Sequence, residues 1–386
     1  MPAVLPGIAT LAAQGFSALR GLRVGLVTNP TGILPDGRTS TIDALHRADG
    51  VKLVALLGPE HGVRGDVPAG KYIASYTDKR TRLPVFSLYG KTKYPTAAML
   101  KGVDVLLFDI QDIGCRSYTY LSTLGAVIDS AGKHGVPVIV CDRPNPLGGV
   151  RVEGRPVAPG FASFVGRYPM AYRHGMTFGE AAKWLVGRGY VRQADLRVIP
   201  CENLTRAQAG WESFGGLPWV PTSPNIPTPD AAVLCAATGI IGELPAVSVG
   251  IGTDNPFGYC GAPTVDADRL AAALNGYGLP GVSFQTAQWV PSRGAFRGKT
   301  CSGVRVRVTD LADAELCRVS FALLCALRSA APTLRPLARR GLFDAVCGTD
   351  TVRKVFLAGA TEPEVWSEFQ RGAAMFAESR KRFLIY

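Results

Sequence analysis

Five short apolar runs recur within the first 145 residues, most of them closed by a loop of glycine, proline and chargeable side chains. They are Arg23–Thr28, Lys52–Leu57, Pro84–Leu88, Val103–Ile110 and Pro137–Cys141. Near-continuous Val/Leu/Ile runs suit strands buried on both faces, which is the condition of a parallel sheet. Helical segments are expected between them, at Ser40–Arg47, Thr96–Leu100 and Tyr120–His134. The alternation predicts a βαβ series, hence an α/β chain with a Rossmann-like parallel-sheet N-terminal domain.

A further unit follows. Thr177, with Glu180 three residues on, forms a capping box that opens a helix through Leu185, and Leu196–Cys201 reads as another strand. The proline-rich stretch Leu217–Asp230 then reads as a rigid crossing between domains. A chain of 386 residues has room for two domains. The expected division is 1–228 for the Rossmann-like domain and 229–386 for a smaller α+β domain that closes a cleft. In the second part, Ala246–Thr253, Val282–Val290 and Gly303–Asp310 read as strands. Asp266–Leu274, Asp313–Ala331 and Glu362–Ser379 read as helices.

Composition narrows the function. Hydrophobic residues make up 47% and charged residues 19%, so the chain can bury a core and is not a disordered segment. No apolar run has the length of a membrane span, and Met1–Phe16 lacks the cationic start of a signal peptide, so a soluble chain is expected. The net charge of +12 suits an anionic partner. Without a dense Lys/Arg block or a nucleic-acid motif, that partner is not expected to be DNA or RNA. Nine cysteines without a C-x-x-C pair read as buried free thiols. The four histidines show no H-E-x-x-H spacing, and neither G-x-G-x-x-G nor a P-loop is present, which sets aside zinc-protease, dinucleotide-binding and P-loop readings.

In open parallel sheets, ligands bind beyond the carboxyl ends of the strands. The chargeable residues gather there. The first strand delivers Asn29 and the second Glu60, His61 and Arg64. The fourth delivers Asp109, Gln111, Asp112, Arg116, Tyr118 and Tyr120, and the fifth Asp142, Arg143 and Asn145. Four such loops on one edge point to a site. Glu60, at the end of an apolar strand, is the first candidate for an acid that protonates a leaving oxygen, with His61 beside it. Asp109 and Asp112 offer a second carboxylate. Tyr118, Tyr120 and Trp219 are planar groups of the kind that cover sugar faces.

The strings NPTG, GPEHGVRG, FDIQDIGCRSYTY, DRPNPLGG, HGMTFGEAA, SPNIPT and GAPT occur in this order. Together they resemble the exo-β-N-acetylmuramidases of the NamZ type, from about residue 20 to the C-terminus and most strongly through residue 229. The resemblance implies hydrolysis of a terminal β-linked N-acetylmuramic acid from peptidoglycan fragments, in a cleft between the domains, without a cofactor. It supports Glu60 as the catalytic carboxylate and adds His174 and Asn225 to the site. One loop departs from the family pattern: Ala246 and Ile251 stand where an asparagine and an arginine are usual. That departure predicts a cleft wall poorer in donors. A lactyl carboxylate is expected to meet Arg116 first and Arg143 second. Two alternatives stay open: a non-catalytic muropeptide- or sugar-binding protein, and a hydrolase of a related amino-sugar glycoside. Compartment and oligomeric state are not legible.

Overall fold

The computed structural model describes residues 2–60, 62–65, 75–331 and 341–386. Its larger sheet has seven strands: β1 (Arg23–Thr28), β2 (Lys52–Gly58), β3 (Tyr76–Thr77), β4 (Pro84–Ser87), β5 (Val105–Asp109), β6 (Val138–Cys141) and β7 (Leu196–Ile199). They lie in the order β3-β4-β2-β1-β5-β6-β7. All neighbours are parallel except β3, a short antiparallel edge strand against β4. With β3 set aside, this is the doubly wound order, and the winding reverses between β1 and β5.

Both faces of this sheet are covered, as the continuous apolar runs require. Val105 and Leu107 of β5 join one core with Val24 and Leu26 of β1, under Gly7–Ala13 and Thr41–Arg47. Leu106 and Phe108 point the other way, with Val27 and Val140, under Tyr120–His134 and Phe178–Gly187. The Thr177 capping box is present: its side chain accepts from the Glu180 N–H, and Glu180 reaches back to the Thr177 N–H.

The second sheet has three antiparallel strands, β8 (Tyr259–Ala262), β9 (Val282–Trp289) and β10 (Cys301–Val308), in the order β8-β10-β9. The expected strand over Ala246–Thr253 is instead a turn-rich loop with a single bridge, Ser248 to Gly261. Gly250 and Gly252 there have φ of 79° and 86°, values that a regular strand cannot hold. The expected long helix over Glu362–Ser379 is two helices, Glu362–Gln370 and Ala373–Arg380, split at Gly372 with φ 85°. The helix Pro229–Thr238 was not legible by period, because its apolar residues (PDAAVLCAAT) run round the whole surface. At its start Thr228 accepts from the Ala231 N–H, and proline follows at the first position.

The chain's last residues return to the first sheet. Phe376 and Phe383 belong to the core that holds Phe108 and Val140. Arg380 donates to the carbonyls of His174, Gly175, Gly149 and Val150. Closer to the cleft, Arg173 pairs with Glu153 at 2.6 Å and donates to the Leu147 and Ala314 carbonyls. The other Glu153 oxygen accepts from the Cys317 N–H at 2.8 Å. Both partners are buried. Among the described residues no helix is long and apolar enough to cross a membrane.

Glu153→Gln removes the only carboxylate paired with Arg173 among the described residues and strands a buried guanidinium. The expected cost is about 3 to 5 kcal/mol of unfolding free energy, read from urea denaturation, and a change below about 1 kcal/mol would refute the assignment.

Candidate active site

The ends of β1, β2, β5 and β6 meet at the point where the winding reverses, and two kinds of residue occupy it. The first kind is a scaffold. Asp109, fully buried, pairs with Arg143 at 2.6 Å and accepts from the Thr41 hydroxyl at 2.5 Å. Arg143 also donates to the Ile33 carbonyl. Asp142 accepts from the Gly179 N–H at 2.8 Å, the Thr177 hydroxyl at 2.6 Å and the Tyr386 hydroxyl at 2.7 Å. Burial outweighs these donors and raises its carboxyl to about 6. Asn145 closes its own turn, accepting from the Leu147 N–H and donating to the Met176 carbonyl.

Three arginines expected at the site have internal partners in the structure. Arg116 does not offer its guanidinium to a ligand: its terminal nitrogens donate to the carbonyls of Arg155, Met170 and Val346 at 2.6–2.7 Å. It is buried without a carboxylate partner among the described residues, and desolvation lowers it to about 10. Arg143 is held by Asp109. Arg64 is committed to Asp78 at 2.6 Å and Asp43 at 3.2 Å, and the guanidinium holds the Asp78 carboxyl far below the usual range. All three arginines brace loops.

The second kind keeps unspent chemistry. Glu60, half-buried at the end of β2, accepts from the Thr119 hydroxyl at 3.4 Å and lies within hydrogen-bonding reach of the Tyr89 hydroxyl. Burial first, and then the Glu60 charge, raise the Tyr89 hydroxyl above its ordinary value. Tyr120 stands beside Glu60 as well; its ring is 4.7 Å from that of Tyr118, and its hydroxyl donates to the Thr222 carbonyl at 2.7 Å. Asn29 accepts from Thr31 through Oδ1, and its Nδ2 adjoins Tyr120 without closing a hydrogen bond.

Asp112 accepts from the Gly114 N–H through Oδ2, which is also 3.3 Å from His174 Nε2. His174 is buried; its Nδ1 accepts from the Met176 N–H at 3.2 Å, and its Nε2 lies 3.3 Å from Asp112 Oδ2 without closing a hydrogen bond. Among the described residues, the outer oxygens Asp112 Oδ1 and Gln111 Oε1, and Trp219 Nε1, are buried without a hydrogen-bond partner. Interiors seldom leave such atoms unpaired. Asn225 follows in the crossing, half-buried. His61 lies outside the described residues.

The Glu243–Thr253 loop packs against the hairpin between β9 and β10. Ser292 donates to the Gly252 carbonyl through both N–H and hydroxyl, and the Arg293 guanidinium reaches the Pro224 carbonyl at 2.8 Å. An arginine thus stands next to Ile251 after all, contributed by a different loop. Tyr89 and Thr119 escaped the sequence reading. The signal for Tyr89 was its place directly after the third apolar run. Thr119 lay inside a motif already singled out. Among the described residues no group of three or more His, Cys, Asp or Glu is disposed to hold a metal ion.

The N-terminal and C-terminal domain profiles of exo-β-N-acetylmuramidase NamZ match residues 24–230 and 233–386. The chain belongs to the NamZ family. It is 40% identical over 385 residues to the peptidoglycan β-N-acetylmuramidase NamZ of Bacillus subtilis, covering 100% of this chain and 92% of that protein. Two DUF1343-family proteins of Bacteroides fragilis share the architecture in crystal structures. One has a TM-score of 0.93 at 39% identity, the other 0.80 at 29%, and each comparison covers 100% of this chain and 99% of the other. For a NamZ-family chain the division into scaffold and unspent groups has a direct consequence. Arg116→Met should lower the melting temperature and reduce turnover of muramic and lactyl-free glycosides equally. Selective loss on the muramic substrate would return Arg116 to the binding site.

Proposed function

We propose that this protein is a glycoside hydrolase that releases N-acetylmuramic acid from the non-reducing end of peptidoglycan fragments, with Glu60 as the acid. The observation that carries the reading is the setting of Glu60. It is a half-buried carboxyl at the sheet's switch point, oriented by the Thr119 and Tyr89 hydroxyls, in a chain of the NamZ family. The glycosidic C–O bond breaks as Glu60 passes its proton to the leaving oxygen, and water adds to the anomeric carbon and loses a proton. Two fixed hydroxyls on the carboxyl restrict its rotation, so it needs little reorganisation when the sugar arrives.

The Asp112–His174 pair supplies the second polarity. The Gly114 N–H orients Asp112 Oδ2 beside the imidazole, leaving Oδ1 to meet a substrate hydroxyl, amide or water. Tyr118, Tyr120 and Asn29 form the adjoining wall on the β1 and β5 side, and Asn225 and Thr222 that of the proline-rich crossing. A binding protein would need the same wall without an acid held this way, so Glu60 separates the two readings.

Glu60→Gln preserves shape and removes the titrating proton. It should lower kcat on a chromogenic N-acetylmuramic acid β-glycoside about 10²- to 10⁴-fold, with the melting temperature near that of the parent. Near-parental kcat across the pH range would remove Glu60 from the chemistry.

A further inference from the structure

N-Acetylmuramic acid differs from N-acetylglucosamine by a lactyl ether on O3 that carries a carboxylate, so an enzyme that separates the two needs a cation near the acid. The arginines at the strand ends do not provide it. Arg64, Arg116 and Arg143 are all spent on internal partners. A different cation stands beside Glu60. β4 is the parallel neighbour of β2, and the Leu88 N–H donates to the Gly58 carbonyl, so the segment after β4 emerges on the same edge as Glu60. Tyr89 in that segment reaches Glu60 with its hydroxyl, and Lys93 lies over the same ring, 5.4 Å from its centroid. The ammonium also sits 3.7 Å above the ring of Phe164, whose backbone carbonyl accepts from Ser122 on the helix Tyr120–His134.

We propose that Lys93 is the specificity-determining cation that receives the lactyl carboxylate of the terminal sugar, across Tyr89 from the catalytic acid. Four observations carry it. Lys93 is half-buried and has no acidic partner among the described residues, so its charge is available. Two aromatic faces hold the ammonium where a lysine on an open surface would wander, and cation–π contact fixes position without consuming a hydrogen-bond donor. All three donors of the ammonium can therefore turn to an incoming carboxylate. Finally, the tyrosine that positions Glu60 is the tyrosine that positions Lys93, so a ring bound against Tyr89 presents its glycosidic oxygen and its O3 substituent to two groups tied to one side chain. Arg293, a cation with no acidic partner among the described residues, is anchored instead on the Pro224 carbonyl of the proline-rich crossing.

This inference rests on the glycosidase reading, and the experiment separates the two. The full-length protein and its Lys93→Met, Lys93→Arg and Arg293→Met variants are assayed on three chromogenic β-glycosides: N-acetylmuramic acid, its lactyl methyl ester, and N-acetylglucosamine. Lys93→Met should lower kcat/KM on the free acid about ten- to hundredfold, the scale of one charge-assisted hydrogen bond, and leave the ester and N-acetylglucosamine within about twofold. Lys93→Arg should keep the preference for acid over ester. Equal losses on acid and ester would overturn the assignment, as would a selective loss in Arg293→Met in place of Lys93→Met. A parent enzyme that cleaves acid and ester alike overturns Lys93 while leaving the glycosidase reading intact. A parent that cleaves none of the three overturns both.

Discussion

The buried Asp109–Arg143 ion pair is the contact on which the rest of the site's geometry depends. It joins the carboxyl ends of β5 and β6, and through Thr41 and the Ile33 carbonyl it also ties down the loop that leaves β1. A doubly wound sheet opens a crevice where its winding reverses, because the connections leave in opposite directions there. An open crevice lined by loops would be mobile. Here the loops on either side are laced by a fully desolvated charge pair, and nearby backbone passes too close for a side chain. A Cβ on Gly32 would lie 3.0 Å from the Asp109 carbonyl, and one on Gly114 would lie 2.3 Å from Asn145 Oδ1. The crevice keeps its shape before any sugar enters.

The same logic extends to the seam between the two halves. Arg116 reaches the Val346 carbonyl, Arg173 pairs with Glu153 beneath the Cys317 N–H, and Arg380 gathers four carbonyls of the first half. Guanidinium groups suit this work because five donors in a plane can satisfy several backbone carbonyls at once, and such carbonyls arise wherever irregular loops are buried. Part of the chain's arginine content is thus spent on making loops buriable.

That distribution explains what the sequence could and could not reveal. The parallel sheet was legible because burial on both faces writes continuous apolar runs, and Tyr120–His134 was legible to the residue, since Tyr120 follows a polar turn and Gly135 ends the helix in the left-handed region. The site's edge was legible because chargeable residues cluster at strand ends. Which of them are free was not. Asp109, Asp112 and Asp142 look alike in sequence; only tertiary contact shows that the first is locked to Arg143, the third is enclosed by donors, and the second keeps an oxygen open. Ala246–Thr253 was misread because its alternating Val, Ser and Ile imitate a strand, while Gly250 and Gly252 take a conformation that the alternation does not reveal. Tyr89 and Lys93 carry no such signal, because they lie in an irregular segment after the short strand β4.

A satisfied scaffold and an unsatisfied surface are two sides of one requirement. A buried polar atom without a partner destabilises the fold by roughly 1 to 3 kcal/mol, so a protein can keep such atoms only where the surroundings are over-determined. The unpartnered Asp112 Oδ1, Gln111 Oε1 and Trp219 Nε1 sit among loops fixed by Asp109, Asp142, Asn145 and Arg116, and those contacts provide the over-determination. Were the loops free to relax, they would turn these atoms toward one another and the crevice would close on itself. Because they cannot, the atoms keep their hydrogen-bonding capacity. Binding then recovers an energy that folding left unspent, and it does so only for a ligand whose polar groups match that fixed pattern.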